Sequence, residues 1–185
     1  MANLELWLVR HGETVYNAAR KLAGWSDVAL TPRGEAQARA LRPTLEGEAF
    51  DGVWSSDLQR TIHTARLAYG EPTPDRRLRE IHFGSLEGTP WNDLEETTRD
   101  ALLGWEGFAT PDGESTAALA ERTRRFVDAL PPGRHLVFAH GGVIRALLRD
   151  RGLDHFVSPC TLVAVDWSAG QILFEKPGEE LLGEG

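Results

Sequence analysis

Several things are scarce in this chain of 185 residues, and each scarcity removes a class of protein. Cysteine occurs once, at Cys160, so no internal disulfide can form, and no Cys/His group with zinc spacing surrounds it. A small apolar filler ahead of a strand is the natural reading of that thiol. No run of about eighteen apolar residues occurs, so no membrane-spanning helix is expected. Positive charge is in deficit: 20 Lys and Arg stand against 28 Asp and Glu, for a net charge of -8. The resulting field repels polyanions, so neither nucleic acid nor an anionic membrane is an expected partner. Any anionic ligand has to be captured by a local cluster of cations. The opening M-A-N-L-E-L-W-L-V-R carries Glu5 where a signal peptide needs positive charge, and its apolar stretch is too short for export. With the lone thiol, this predicts a cytoplasmic protein.

What is present is ordinary globular material, 41% hydrophobic, 26% charged and 8% aromatic. That length and content suit one core and predict one domain over residues 1–185. Leu4 to Val9 reads as a buried strand that stops at a charged, Gly-containing segment. Thr31-Pro32 opens a helix carrying Ala36, Ala38, Ala40, Leu41 and Leu45, with Thr as cap and Pro in the first turn. Gly52 to Ser55 reads as a second strand and Leu58 to Tyr69 as a helix. The pattern then loosens into an excursion over about 80–111, with a short helix from Asn92 to Leu103, as a lid would. Ser115 to Leu130 is amphipathic, His135 to Ala139 a strand, and Gly141 to Arg151 a helix. Thr161 to Trp167 and Gln171 to Phe174 form a hairpin about Ser168-Ala169-Gly170, and the acidic, Gly-rich tail after Pro177 is expected to fray. Alternating strands and helices predict an α/β fold with a mainly parallel sheet and some antiparallel edge.

In such sheets ligands bind outside the carboxyl ends of the strands. Three strand ends here are followed by Arg10-His11-Gly12-Glu13, by Ser55-Ser56-Asp57-Leu58-Gln59-Arg60 and by His140-Gly141-Gly142. Two guanidinium forks can neutralise a phosphomonoester dianion, so the natural inference is a phosphate pocket. Neutral imidazole is nucleophilic near pH 7, and attack by a ring nitrogen on phosphorus would give a phosphohistidine for water to hydrolyse. Gly141 and Gly142 bare their N–H groups at a helix start, a favourable place for an anion. A leaving alkoxide needs a proton, which Glu80 in L-R-E-I-H-F-G is placed to give; Glu87 and Glu13 are competitors for that part.

These residues carry a resemblance. R-H-G-E, G-W-S-D-V-A-L-T at 24–31, S-S-D-L-Q-R-T-I-H-T-A at 55–65, E-I-H-F-G-S-L-E-G at 80–88 and F-A-H-G-G at 138–142 resemble, in order, the motifs of the histidine phosphatase superfamily, also called phosphoglycerate-mutase-like. The resemblance implies that His11 is the phosphorylated nucleophile, that Arg10, Arg60 and His140 complete the phosphate pocket, and that Glu80 is the general acid/base. It extends substrate binding to Asn17 and Gly24, beside Gly141. It implies no metal and no cofactor, and a three-layer fold with a mixed, mostly parallel sheet between helices and a small cap over the strand ends. The ligand expected is a small phosphorylated substrate; homo-oligomerisation is left open.

Within the family, the segment 80–88 looks more like the small phosphatases, of α-ribazole or broad-specificity type, than like cofactor-dependent phosphoglycerate mutase. The mutases carry extra basic residues after the acid/base glutamate, whereas here Arg99 is the one Lys or Arg between Glu80 and Pro111. Hydrolysis of a phosphomonoester is therefore the first reading, the mutase the second. A phospholigand-binding module without catalysis is the third, disfavoured because nucleophile, cations and acid/base are all present. Trp25, Trp91 and Trp105 are read equally as cap lining or as core. Arg122, Arg124 and Arg125 are read as a solvated helix face, and His63, His82, His135 and His155 as structural or solvated.

Overall fold

The computed structural model describes residues 3–180. Its strands are β1 (Leu4–Arg10), β2 (Gly52–Ser55), β3 (Thr73–Pro74), β4 (Gly133–Ala139), β5 (Leu162–Asp166) and β6 (Gln171–Lys176), in one sheet of order β3-β2-β4-β1-β5-β6. The β1, β2, β3 and β4 pairings are parallel, and β5 and β6 add an antiparallel edge. The expected α/β class and mixed sheet are thus observed.

Period-two alternation deals side chains to two cores. Leu6 and Leu8 of β1, with Val137 and Ala139 of β4, face one core; Trp7 and Val9, with Leu136 and Phe138, face the other. Onto the first pack α6 (Thr116–Asp128) and α7 (Gly141–Asp150), through Leu119, Phe126, Val143, Ile144 and Leu147. Onto the second pack α2 (Pro32–Ala40), α3 (Arg42–Leu45) and α4 (Gln59–Ala68), through Ala38, Leu45, Ala65 and Ala68. The result is helix, sheet, helix.

Boundaries differ from expectation where backbone chemistry intervenes. The helix expected through Leu45 breaks into α2 and α3 at Leu41, because Pro43 has no N–H for the turn and its ring crowds the preceding carbonyls. The helix expected from Asn92 is a 3₁₀ turn at Trp91–Asp93, extended backbone at Leu94 and Glu95, and then α5 (Glu96–Gly104). Four elements went unread: the single turn α1 (Val15–Ala18), the two-residue β3, and the 3₁₀ turns at Arg76–Leu78 and Gly84–Leu86. Of the tail after Pro177, residues 181–185 lie outside the described residues. No helix among the described residues is long and apolar enough to cross a membrane.

Candidate active site

Parallel pairing brings three strand ends to one edge. Arg10 is level with Ala139 and Ser55 with Phe138, so His11, His140 and the start of α4 emerge together. His11 extends the β1–β4 ladder by one bond, its N–H donating to the Ala139 carbonyl at 3.0 Å. Gly12 follows because the chain runs against the backbone of Gly34, whose carbonyl a Cβ would strike.

The rings of His11 and His140 meet edge to face, with centroids 5.2 Å apart, and both are buried. His11 Nδ1 lies 2.7 Å from the Gly12 carbonyl oxygen. A carbonyl can only accept, so Nδ1 carries the hydrogen and the neutral ring keeps its lone pair on Nε2. Burial, then the charges of Arg60 and Arg10, holds the His11 pKa well below the usual imidazole value, against a smaller opposing effect of the Gly12 bond. Burial and the charges of Arg60 and His11 depress His140 in the same way. Both rings are therefore neutral at pH 7, which is the form a nucleophile needs.

Arg60, 1% exposed, is held by backbone carbonyls: Nη1 donates to Ser26 at 2.9 Å and Nη2 to Gly24 at 2.7 Å and Ala23 at 3.3 Å. Burial lowers its pKa to about 10, partly offset by Glu80, Asp27 and Glu87, so it stays charged. Arg10 donates from Nη1 to the Val157 carbonyl at 2.6 Å. Arg10 Nε, Arg60 Nε and both His140 ring nitrogens are buried without a hydrogen-bond partner. Each such atom costs about 1–3 kcal/mol while unpaired, and phosphoryl oxygens are acceptors suited to the guanidinium N–H groups and to the one N–H of a neutral His140 ring.

A cavity of about 530 Å³ opens beside these groups. Arg10, His11, Asn17, Glu80 and Gly141 reach its wall; Arg60 and His140 are buried and do not. Gly24, like Arg60 and His140, is absent from the wall. It is closely packed against Glu87 and the backbone of Ile81 and Phe83, and its carbonyl serves Arg60. Asn17 accepts through Oδ1 from Thr14 N–H at 3.0 Å and Thr14 Oγ1 at 2.9 Å, a capping box that leaves its NH₂ group as the end not used by Thr14. Of the three competing glutamates only Glu80 reaches the cavity; Glu87 accepts from Trp25 N–H, Ser26 N–H and Ser26 Oγ, and Glu13 from Thr31 Oγ1. Glu80 accepts from Ile81 N–H through Oε1 and from Gly142 N–H through Oε2, both at 2.9 Å.

Trp91 and Trp105 line the cavity with Leu102 and Leu103 of the α5 segment, whereas Trp25 does not. Cations arrive from outside the excursion, which corrects the expectation drawn from Arg99 alone: Lys21 and Arg145 are on the wall. Arg145 is committed to Asp154 and to the carbonyls of Leu102 and Leu103. Lys21 makes no ion pair among the described residues and lies 5.8 Å from the Tyr16 ring centre. The solvated-face reading holds for Arg124 and Arg125 but fails for Arg122, which turns inward to Glu114 and to the backbone of Arg77 and Glu80. Cys160 is buried with its pKa pushed up to about 12, an inert thiol. No three His, Cys, Asp or Glu side chains among the described residues are grouped to hold a metal ion.

Known proteins resemble this chain in sequence and fold. A probable phosphoglycerate mutase GpmB of Yersinia enterocolitica is 39% identical over 157 residues, 78% of this chain and 73% of that protein. The crystal structure of TTHB049 from Thermus thermophilus is 47% identical and superposes with a TM-score of 0.87 over 94% of this chain and 99% of that one. A phosphoglycerate mutase structure from the same organism is 47% identical, with a TM-score of 0.86 over 92% of this chain and 97% of that one. The family model described as histidine phosphatase superfamily (branch 1) matches residues 6–178. With the motif order and the sheet in agreement, the chain belongs to the histidine phosphatase superfamily.

Proposed function

We propose that the protein hydrolyses a small phosphomonoester through a phosphohistidine on His11. The observation that carries this is the His11 tautomer, Nδ1 tied to Gly12 and Nε2 bearing the lone pair, beside the buried Arg60 and the half-buried Arg10. In the first step Nε2 attacks phosphorus, the P–O bond breaks, and Glu80 gives its proton to the departing alkoxide. In the second, Glu80 takes a proton from water, the hydroxide attacks phosphorus, and the P–N bond breaks to release phosphate. Arg10, Arg60, His140, Asn17 and the Gly141 N–H at the start of α7 bind the phosphoryl oxygens as charge develops on them. Neither metal nor organic cofactor enters these steps, the residues 80–111 act as a cap, and the setting is the cytoplasm.

The wall beyond the phosphate end supports hydrolysis. Leu22, Phe83, Trp91, Leu102, Trp105 and Phe156 make it largely apolar, which suits an ester of α-ribazole or broad-specificity type better than a sugar acid. The second reading, a phosphoglycerate mutase, is favoured by the name of the Yersinia relative and by Lys21, a cation free to meet a second acidic group.

Phosphate release from p-nitrophenyl phosphate in EDTA, for wild type and His11→Ala, tests the proposal, with a panel of phosphorylated metabolites that includes 3-phosphoglycerate. EDTA-resistant hydrolysis abolished by the substitution is the expected result. Conversion of 3-phosphoglycerate to 2-phosphoglycerate would favour the mutase, and phosphate binding without turnover the non-catalytic module.

A further inference from the structure

Behind Glu80, on the side away from the cavity, a second set of contacts converges on one peptide unit. The Glu80 carbonyl accepts from Trp25 Nε1 at 2.8 Å and from Arg122 Nη2 at 2.9 Å. The N–H of the same unit, that of Ile81, donates at 2.9 Å to Oε1 of Glu80 itself. A trans peptide is planar, and its C=O and N–H point in opposite directions. Fixing the carbonyl therefore fixes the direction of the N–H, and with it one oxygen of the carboxylate. Rotating this unit by a few tens of degrees would withdraw the Ile81 donor and leave Gly142 N–H as the remaining hold on the side chain.

The two carbonyl donors are themselves anchored. Arg122, on α6, forks onto Glu114 at 2.6 and 2.8 Å and reaches the Arg77 carbonyl at 2.8 Å. Glu114 in turn accepts from His82 N–H at 3.3 Å and donates its own N–H to the His82 carbonyl at 2.8 Å, so both sides of the Glu80 segment are tied to α6. Trp25 packs between His82, 4.7 Å away, and the Arg79 guanidinium, 4.8 Å from its ring. Neither Trp25 nor Arg122 lines the cavity.

We propose that Arg122 and Trp25 are positioning residues for catalysis: by gripping the Glu80 carbonyl from behind, they hold its carboxyl group where it can exchange a proton with the leaving oxygen. This rests on the reading of Glu80 as general acid. A misplaced acid slows esters in proportion to how much their leaving group needs protonation. An alkyl alkoxide needs it; p-nitrophenolate departs without it. A merely structural role would lower both alike.

The test compares kcat/KM for butyl phosphate and for p-nitrophenyl phosphate in wild type, Glu80→Gln, Arg122→Lys and Trp25→Phe. Because kcat/KM reports the first irreversible step, it isolates phosphorylation from later hydrolysis. Trp25→Phe removes one donor while keeping a ring between His82 and Arg79, so it answers even if Arg122→Lys folds poorly. Expected is a fall of the butyl to p-nitrophenyl ratio by about 100-fold in Glu80→Gln and by about 10-fold in each of the other two, with p-nitrophenyl phosphate turnover in those two within about threefold of wild type. A selective fall in Glu80→Gln with an unchanged ratio in Arg122→Lys and Trp25→Phe overturns the positioning role alone. An unchanged ratio in Glu80→Gln overturns the general-acid reading, and the positioning role with it.

Discussion

The backbone N–H of Gly142 holds Oε2 of Glu80 at 2.9 Å, and a Cβ at Gly142 would fall on the other oxygen of the same carboxylate. The glycine is required by its neighbour, since it lies near the start of α7 without any unusual dihedral. Elsewhere in a helix, Gly→Ala commonly stabilises by about 0.4–1 kcal/mol. Gly142→Ala is expected instead to lower kcat/KM by roughly 10- to 100-fold by displacing Glu80, with little change in melting temperature. Steady-state kinetics beside a thermal melt check this; full activity would show that the carboxylate works from another position.

His11 and His140 give a pH dependence of defined sign. Folding holds both pKa values below the usual imidazole value, first through burial and then through the nearby arginines. Below about pH 6.5 the unfolded chain protonates these rings and the folded chain does not. The unfolded state then binds more protons, so stability is fully present above that pH and declines as pH falls below it. Carboxylates such as Asp57, held low by Arg79, contribute a further loss only in the ordinary carboxylate range and below. Thermal melting between about pH 5 and 7.5 should show a falling Tm with acid, with a shallower slope in His140→Ala. Equal slopes in the two proteins would mean that His140 is not the group responsible.

Arg60→Lys keeps the charge and loses the fork. One ammonium cannot span the carbonyls of Ser26, Gly24 and Ala23. About 1–3 kcal/mol of stability should go with the unmet acceptors. Turnover should fall by roughly 100-fold or more as the phosphate pocket loses a shaped donor set. Denaturant melts and kcat/KM for p-nitrophenyl phosphate measure the two effects, and near-wild-type turnover would remove Arg60 from the pocket.

Trp91 lines the cavity through the excursion. Trp91→Ala should lower kcat/KM about 10-fold or more for esters of bulky aryl alcohols, as burial of an apolar leaving group is lost, and much less for methyl phosphate. An equal effect on both would assign this ring to the fold.

Much of the molecule was legible because its signals are local. The buried runs of β1 and β4, the Thr31 cap and the amphipathic α6 are set by neighbours a few residues apart, and the motif order identified the family. Arg10, His11, Arg60, Glu80 and His140 were named as a set, and they do converge. What was missed is either too short to show a pattern or set by contacts distant along the chain. The two residues of β3 carry no periodicity to read, and α1 is one turn held by a capping box. Arg122 looks like a surface arginine beside Arg124 and Arg125, and only folding brings it to a carbonyl 42 residues earlier. Lys21 and Arg145 lie far in sequence from residues 80–111, and only folding brings them to the same cavity wall.

The order of apolar and charged residues by itself determined the α/β class, the longer strands, their flanking helices and the family, because alternation and strand-end placement are properties of short stretches. Which glutamate faces the cavity and which arginines point inward were decided only by tertiary structure. Each of those depends on a hydrogen-bond partner or a charge supplied from elsewhere in the chain, and burial alone makes such contacts strong enough to matter.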